Sequence, residues 1–272
     1  MQTSQYANIE GKDCGSAKHA TIRVIINKQS IQEEKSMNKI LADMHTHTIA
    51  SGHAYATLTE MCKEAANKGL EIYGITEHSS GIPGTCADIY FQNLRVVPRD
   101  LFGLDLRLGA EINIIDYNGT LDLDQKYIDR LDFVIAGIHS VCYKFGSKEE
   151  NTAAIINAIK NPNVNIISHP DDGRCPLDYE ALVQAAKEYH VLLEINNNAL
   201  RDKNRKNVKE NQKLIIENCK KYNHPFIMGS DAHFTTDIAN YDHCGPLVES
   251  MNVDNELIMN YYPDRLREFL RK

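Results

Sequence analysis

The feature that most constrains the fold of this chain is a repeated order of short apolar runs and longer amphipathic stretches. The runs cover residues 39–44, 70–76, 105–115, 132–138, 164–168, 191–195 and 225–229. Helical spacing follows most of them, over 57–68, 148–160, 178–189 and 208–221, and again near 242–251 and 264–271. Thr57 with Glu60 three residues on is a capping box, and Asp178 is an N-cap. Residues 88–99 read as a helix ended by Pro98, 124–130 as a short helix, and Asn118-Gly119 as a turn in a hairpin out to Leu123. Strand and helix alternating about seven times predict a parallel α/β sheet with crossover helices. Seven or eight such units close into a barrel, with an open doubly wound sheet as the alternative. Neither Gly-x-Gly-x-x-Gly nor a Gly-Lys-Ser/Thr loop is present, so nucleotide-binding versions of the open sheet lose support.

The barrel occupies residues 39–272 in this reading. Residues 1–38 are set apart as a polar N-terminal extension, either poorly ordered or upstream of a start at Met37. Within it, 21–27 reads as a short strand and 29–38 as a helix or linker. A net charge of −7 excludes a global basic field for nucleic acid or anionic membranes. No apolar run approaches the length of a membrane span. The seven cysteines are scattered, with no Cys-x-x-Cys, which argues against a disulfide framework and predicts a cytoplasmic protein. Oligomeric state is left open.

Chemistry concentrates at the carboxyl ends of the runs. The first ends in His45-Thr46-His47, with His53 six residues later; the others end in or near His78, Glu111, His139, His169, Asn196, and Asp231 with His233. Residues i and i+2 of a strand share a face, so His45 and His47 project together, as do Asp231 and His233. Any one of these histidines reads most simply as a hydrogen-bonded structural residue. Seven of the eleven, gathered at one end of successive strands, predict metal binding. Imidazole with carboxylate suits Zn, with Mn or Fe as alternatives. Nine ligands are too many for one ion and suit two or three, bridged by a carboxylate. Such clusters serve hydrolysis: one metal activates a bound water as hydroxide while the others hold substrate oxygens. Arg174, and less strongly Arg201, are candidate phosphate contacts. Lys203, Arg205, Lys206 and Lys209 read as a solvated face.

These residues resemble the PHP (polymerase and histidinol phosphatase) superfamily. The motifs are Asp43-Met44-His45-Thr46-His47, His53, Ile75-Thr76-Glu77-His78, Glu111, His139, Ser168-His169-Pro170 and Gly229-Ser230-Asp231-Ala232-His233. Ala50-Ser51-Gly52-His53-Ala54-Tyr55 and Glu194-Ile195-Asn196-Asn197 bring the chain closest to the YcdX-type phosphatase branch. The resemblance implies a distorted (β/α)7 TIM-like barrel and a trinuclear centre of divalent ions. One ion takes His45, His47, Glu111 and Asp231. A second shares Glu111 with His139 and His169, and a third takes His53, His78 and His233. It implies a phosphatase acting on small phosphorylated molecules. Glu77 departs from the Asp more usual beside this histidine. The alternative is an amidohydrolase-like deaminase or lactonase, although its bridge is usually a lysine rather than Glu111. A non-catalytic, metal-stabilised accessory domain is a third reading.

Overall fold

The computed structural model describes residues 39–270, so the readings for 1–38 lie outside the described residues. Seven strands run parallel in the order β1 (Ala42–Asp43), β2 (Ile72–His78), β4 (Leu104–Asn113), β5 (Phe133–Gly137), β6 (Val164–Ile167), β7 (Leu192–Asn196) and β8 (Phe226–Gly229). An eighth, β3 (Asp100–Leu101), pairs antiparallel with β4. The sequence reading has no β3; its turn is made by Phe102 and Gly103, both left-handed at φ 58° and 81°. The helices are α1 (Leu58–Asn67), α2 (Ile89–Asn93), α3 (Gln125–Ile128), α4 (Lys148–Ile159), α5 (Tyr179–Tyr189), α6 (Val208–Tyr222), α7 (Cys244–Ser250) and α8 (Pro263–Leu270). The Thr57–Glu60 capping box forms at α1, and a second, Ser147–Glu150, starts α4. The helix expected over 88–99 stops early. After α2 only one 3-10 turn follows, and Arg99 caps it through the carbonyls of Leu94 and Val97.

Strands β2, β5, β6, β7 and β8 are buried along their whole length, as they must be with helices outside and barrel interior inside. Alternation divides their side chains. Ile72, Ile135, Ile166, Leu192 and Ile227 form the interior cluster, closed from below by Leu266, Phe269 and Leu270 of α8. Tyr73, Val134, Ile167, Leu193 and Met228 pack outward in the larger cluster. Moving two or more residues toward the carboxyl end on the inward face replaces aliphatic side chains with polar ones. His78, Ser168, Glu194 and Asp231 lie on this continuation.

The seam between β8 and β1 is where the barrel departs from regularity. The β1 ladder, expected through Met44, breaks off at Asp43, and pairing with the last strand reappears only as the bridge Thr46↔Ala232. Below it, Asn260 stands in for missing ladder bonds. Its amide donates to Ala42 O at 3.0 Å and Met228 O at 2.8 Å, and its carbonyl accepts from Met228 N at 2.8 Å. Above it, buried Asp43 accepts from Ser230 Oγ at 2.5 Å and Ala239 N at 2.8 Å. Side chains of Asn260 and Asp43 thus take up the backbone groups of Ala42, Met228, Ser230 and Ala239 at the seam.

His224 gives a testable acid limb. It is 3% exposed and donates Nε2–H to Val191 O at 2.8 Å. Burial, outweighing that bond, lowers its pKa from 6.5 to about 4. Below pH 6.5 the unfolded chain binds a proton that the folded one refuses, so stability is full above that value and falls as pH drops toward 4. Between pH 7 and pH 5, urea unfolding in chelator should show the wild type losing about 2 kcal/mol more than His224→Gln. Equal losses would remove His224 from the acid response.

Candidate metal centre

Thr46 fixes the first two histidines. It bridges Ala232 on one side, and on the other accepts from Thr76 N at 2.9 Å while its hydroxyl donates to Gly74 O at 2.6 Å. Pinned between β2 and β8, it leaves its neighbours His45 and His47 on the opposite face. Their Nε2 atoms approach to 3.1 Å. The i/i+2 expectation thus holds, though one anchored residue rather than a continuous strand enforces it.

Glu111, paired in register with His78, lies at the centre. Its Oε2 is 3.2 Å from His45 Nε2, 3.5 Å from His47 Nε2 and 3.1 Å from His78 Nδ1. Its Oε1 is 2.8 Å from His169 Nε2 and 3.4 Å from His139 Nε2. Asp231 Oδ1 is 3.6 Å from His45 Nε2 and 3.3 Å from His47 Nε2. His53 closes the far side, its ring 5.0 Å from that of His78 and 4.8 Å from that of His233. His78 stands between two groups, one with Glu111 and His139 and one with His47 and His233. All nine predicted side chains are brought together. His169 and Asp231 have left-handed backbones, φ 30° and 53°, a cost for non-glycine residues that is concentrated here at two strand ends.

The partners on the far side of each ring fix its tautomer. His45 Nδ1 faces Glu194 Oε1 at 2.7 Å, His53 Nδ1 faces Ser51 O at 3.0 Å, and His233 Nδ1 faces Asp231 O at 2.9 Å. Those acceptors require Nδ1–H, which leaves Nε2 a lone pair. His47 reaches the same state indirectly. Ser51 donates its hydroxyl to Glu77 Oε2 at 2.6 Å, so its oxygen accepts from His47 Nδ1 at 3.0 Å. In the neutral rings these lone pairs, 3.1 Å apart and facing a carboxylate, repel unless a proton or a metal cation sits among them. Glu111 Oε2 and His78 Nδ1 are also buried without a hydrogen-bond partner among the described residues. The donor set therefore fits divalent ions.

The carboxylates of the cluster draw positive charge to it. Burial opposes charge on His45, but the carboxylates of Glu194, Glu111 and Asp231 outweigh it and raise its pKa well above the usual value. Burial, then His78 and His233, push His47 well below. Burial would raise Glu111, yet His45, His139 and His78 hold it far down; His45, His47 and His233 do the same for partly buried Asp231. Both carboxylates stay ionised.

Several contributors were not singled out as functional from the sequence. Glu194, buried in β7, accepts from His45 Nδ1 with one oxygen and from His169 N at 2.7 Å with the other. A carboxylate inside an apolar run is the signal that marks it. Glu77 lies outside the cluster and receives Thr48 and Ser51, so its extra length is accommodated. Asn196 both donates to Glu194 at 3.0 Å and caps the loop by accepting from Ala199 N at 2.7 Å. Asn113 accepts His139 Nδ1–H at 2.7 Å because its own amide is committed to Asp122 Oδ2 at 2.7 Å. Asn113→Leu should free that ring and weaken zinc binding by roughly tenfold, read by competition with a chelating dye. Unchanged affinity would show that Asn113 does not orient His139.

The arginines divide differently from expectation. Arg174 lines a cavity beside the cluster but is clamped by Asp172, with Nη2 at 2.6 Å from Oδ2. Arg201 is exposed and pairs with Asp237 at 3.2 Å, lining neither cavity at the cluster. Arg205, assigned to a solvated face, instead lines both. Among the described residues no helix is long and apolar enough to cross a membrane.

Comparisons with known proteins give the family and the fold. A family model described as the PHP domain matches residues 43–218. A protein named probable phosphatase from Caldicellulosiruptor saccharolyticus is 48% identical over 231 residues, 84% of this chain and 95% of the relative. Another of that name, from Acetivibrio thermocellus, is 42% identical over 234 residues, 86% of this chain and 96% of the relative. A crystal structure of histidinol phosphate phosphatase from Lactococcus lactis, complexed with Zn, L-histidinol and phosphate, has a similar fold. Its TM-score is 0.57 at 18% identity, over 79% of this chain and 95% of that one.

Proposed function

Because this chain belongs to the PHP domain family, we propose that its cluster holds three divalent ions and hydrolyses small phosphomonoesters. The chain is a phosphatase, a hydrolase of phosphoric esters, as are the relatives it matches nearly end to end by name. The finer reading assigns His45, His47, Glu111 and Asp231 to one ion, and Glu111, His139 and His169 to a second. His53, His78 and His233 would take the third. Zn suits this set, with Mn or Fe as alternatives. The observation that carries it is Glu111, whose two oxygens face different histidine groups, as a bridging ligand must.

Bound ions at this centre supply a nucleophile from water and positive charge against the developing phosphoryl oxyanion. The chain does the rest. Glu194, Asn113 and the Glu77–Ser51 pair hold the rings of His45, His139 and His47 with Nε2 aimed inward, and Glu194 also anchors the His169 backbone, so little reorganisation is needed on binding. Glu111 and Asp231 offset part of the metal charge, leaving an excess that attracts a dianion to a protein of net charge −7. Among the described residues no lysine lines the cavity at the cluster, so the lysine bridge usual in amidohydrolase-like enzymes has no candidate among them.

The test is metal analysis with a phosphate-release screen over a metabolite panel. More than two equivalents of metal and release from small esters are expected. One equivalent or none would sink the cluster; turnover of a lactone or amine without phosphate release would favour the amidohydrolase reading.

A further inference from the structure

Two cavities meet at the cluster. One, of about 310 Å³, is bounded by Glu111, Asp231 and the histidines. The other, of about 230 Å³, extends past His139 to Phe145 and Arg174. Both are lined by Arg205. Its position is built from beneath: Asp171, fully buried, lies 3.4 Å from Nη1 and is itself held by Gln212 at 2.8 Å. Asp202 lies 3.7 Å from Nε. Both contacts are long for charge-assisted bonds, and Nη2 has no partner among the described residues. The guanidinium is thus oriented but unsaturated, unlike that of Arg174, which Asp172 clamps over the Phe145 ring.

We propose that Arg205 binds the phosphoryl group where the cavities join, and that the second cavity receives the compact, uncharged alcohol portion of the substrate. This rests on the phosphomonoesterase reading above. A planar fork with a free edge suits two phosphate oxygens, and its place at the junction puts it beside the scissile P–O bond. In the second cavity Arg174 is committed to Asp172, so beyond the Arg205 contact to the phosphoryl group no unpaired cation is left for a charged leaving group. Its volume is below the ~300–1,000 Å³ typical of sites for drug-sized ligands, which favours sugar-sized alcohols over nucleosides.

Inorganic phosphate, titrated calorimetrically into the metal-loaded full chain, is the probe, with metal content measured on the same samples. Arg205→Ala should weaken phosphate binding about tenfold or more at unchanged metal content. Arg205→Lys, which keeps a cation beside Asp171 but loses the fork, should fall between. Phe145→Trp, which fills the second cavity, should raise KM for bulkier esters while leaving phosphate affinity intact. Phosphate affinity in Arg205→Ala within about twofold of wild type would overturn the role of Arg205, as would parallel metal loss in both Arg205 variants. Unaltered ester preference in Phe145→Trp would overturn the role of the cavity. A wild type that releases phosphate from no ester would instead overturn the phosphatase reading itself.

Discussion

Glu111→Gln should lower kcat/KM for phosphate release by about a thousandfold or more, with loss of metal, while the barrel stays folded. The side chain keeps its shape, so the inward packing at the top of β4 is preserved. Its chemistry is not preserved. Glu111 Oε1 accepts from Ser168 Oγ at 2.8 Å and faces His169, whereas Oε2 faces His45, His47 and His78. An amide can present an oxygen to only one of these groups and must turn a donor toward the other. It also removes the buried negative charge that keeps the surrounding imidazoles compatible with cations. Circular dichroism should be unchanged and metal analysis should fall by at least one equivalent. A Gln variant with full metal content and activity within about tenfold of wild type would end the bridging assignment.

Gly229→Ala is the second large effect, and it acts at a distance from any ligand. A Cβ at 229 would lie 1.6 Å from Glu194 Oε1 and 2.6 Å from its Cδ. Glu194 has nowhere to retreat, because its oxygens hold His45 Nδ1, His169 N and the Asn196 amide. Displacing it leaves a buried carboxylate and three buried donors short of partners, each costing about 1–3 kcal/mol or more. Metal affinity should drop by about 10–100-fold as two rings lose their orientation. Combining Gly229→Ala with Glu194→Ala separates the parts: thermal stability should partly return because the overlap is gone, but metal affinity should not. Recovery of metal affinity in the double variant would show that steric pressure alone, rather than the Glu194 contacts, was responsible.

The barrel and the nine clustered side chains were legible because both write themselves into periodicity. Apolar runs of strand length alternate with helical stretches, and the rare polar residues sit where runs end. What escaped has no periodic trace. The shortness of β1 depends on Asn260, more than 200 residues later, entering the seam. Strand β3 is two residues long and hangs on one left-handed turn. Arg205 looked like its solvated neighbours, since only tertiary packing on Asp171 separates it from Lys203 and Lys206. Glu194 is one acid among aliphatic residues, and its role appears only once His45 and His169 are seen on either side.

The seam also sets a schedule for biosynthesis. His45 and His47 emerge early from the ribosome, but Asp231, the Asp43–Ser230 bond and the Asn260 insert come from the last part of the chain. On the ligand assignment proposed above, the shell closes only when the last strand of the barrel docks against the first, so metal would bind after that step and lock the two strands together.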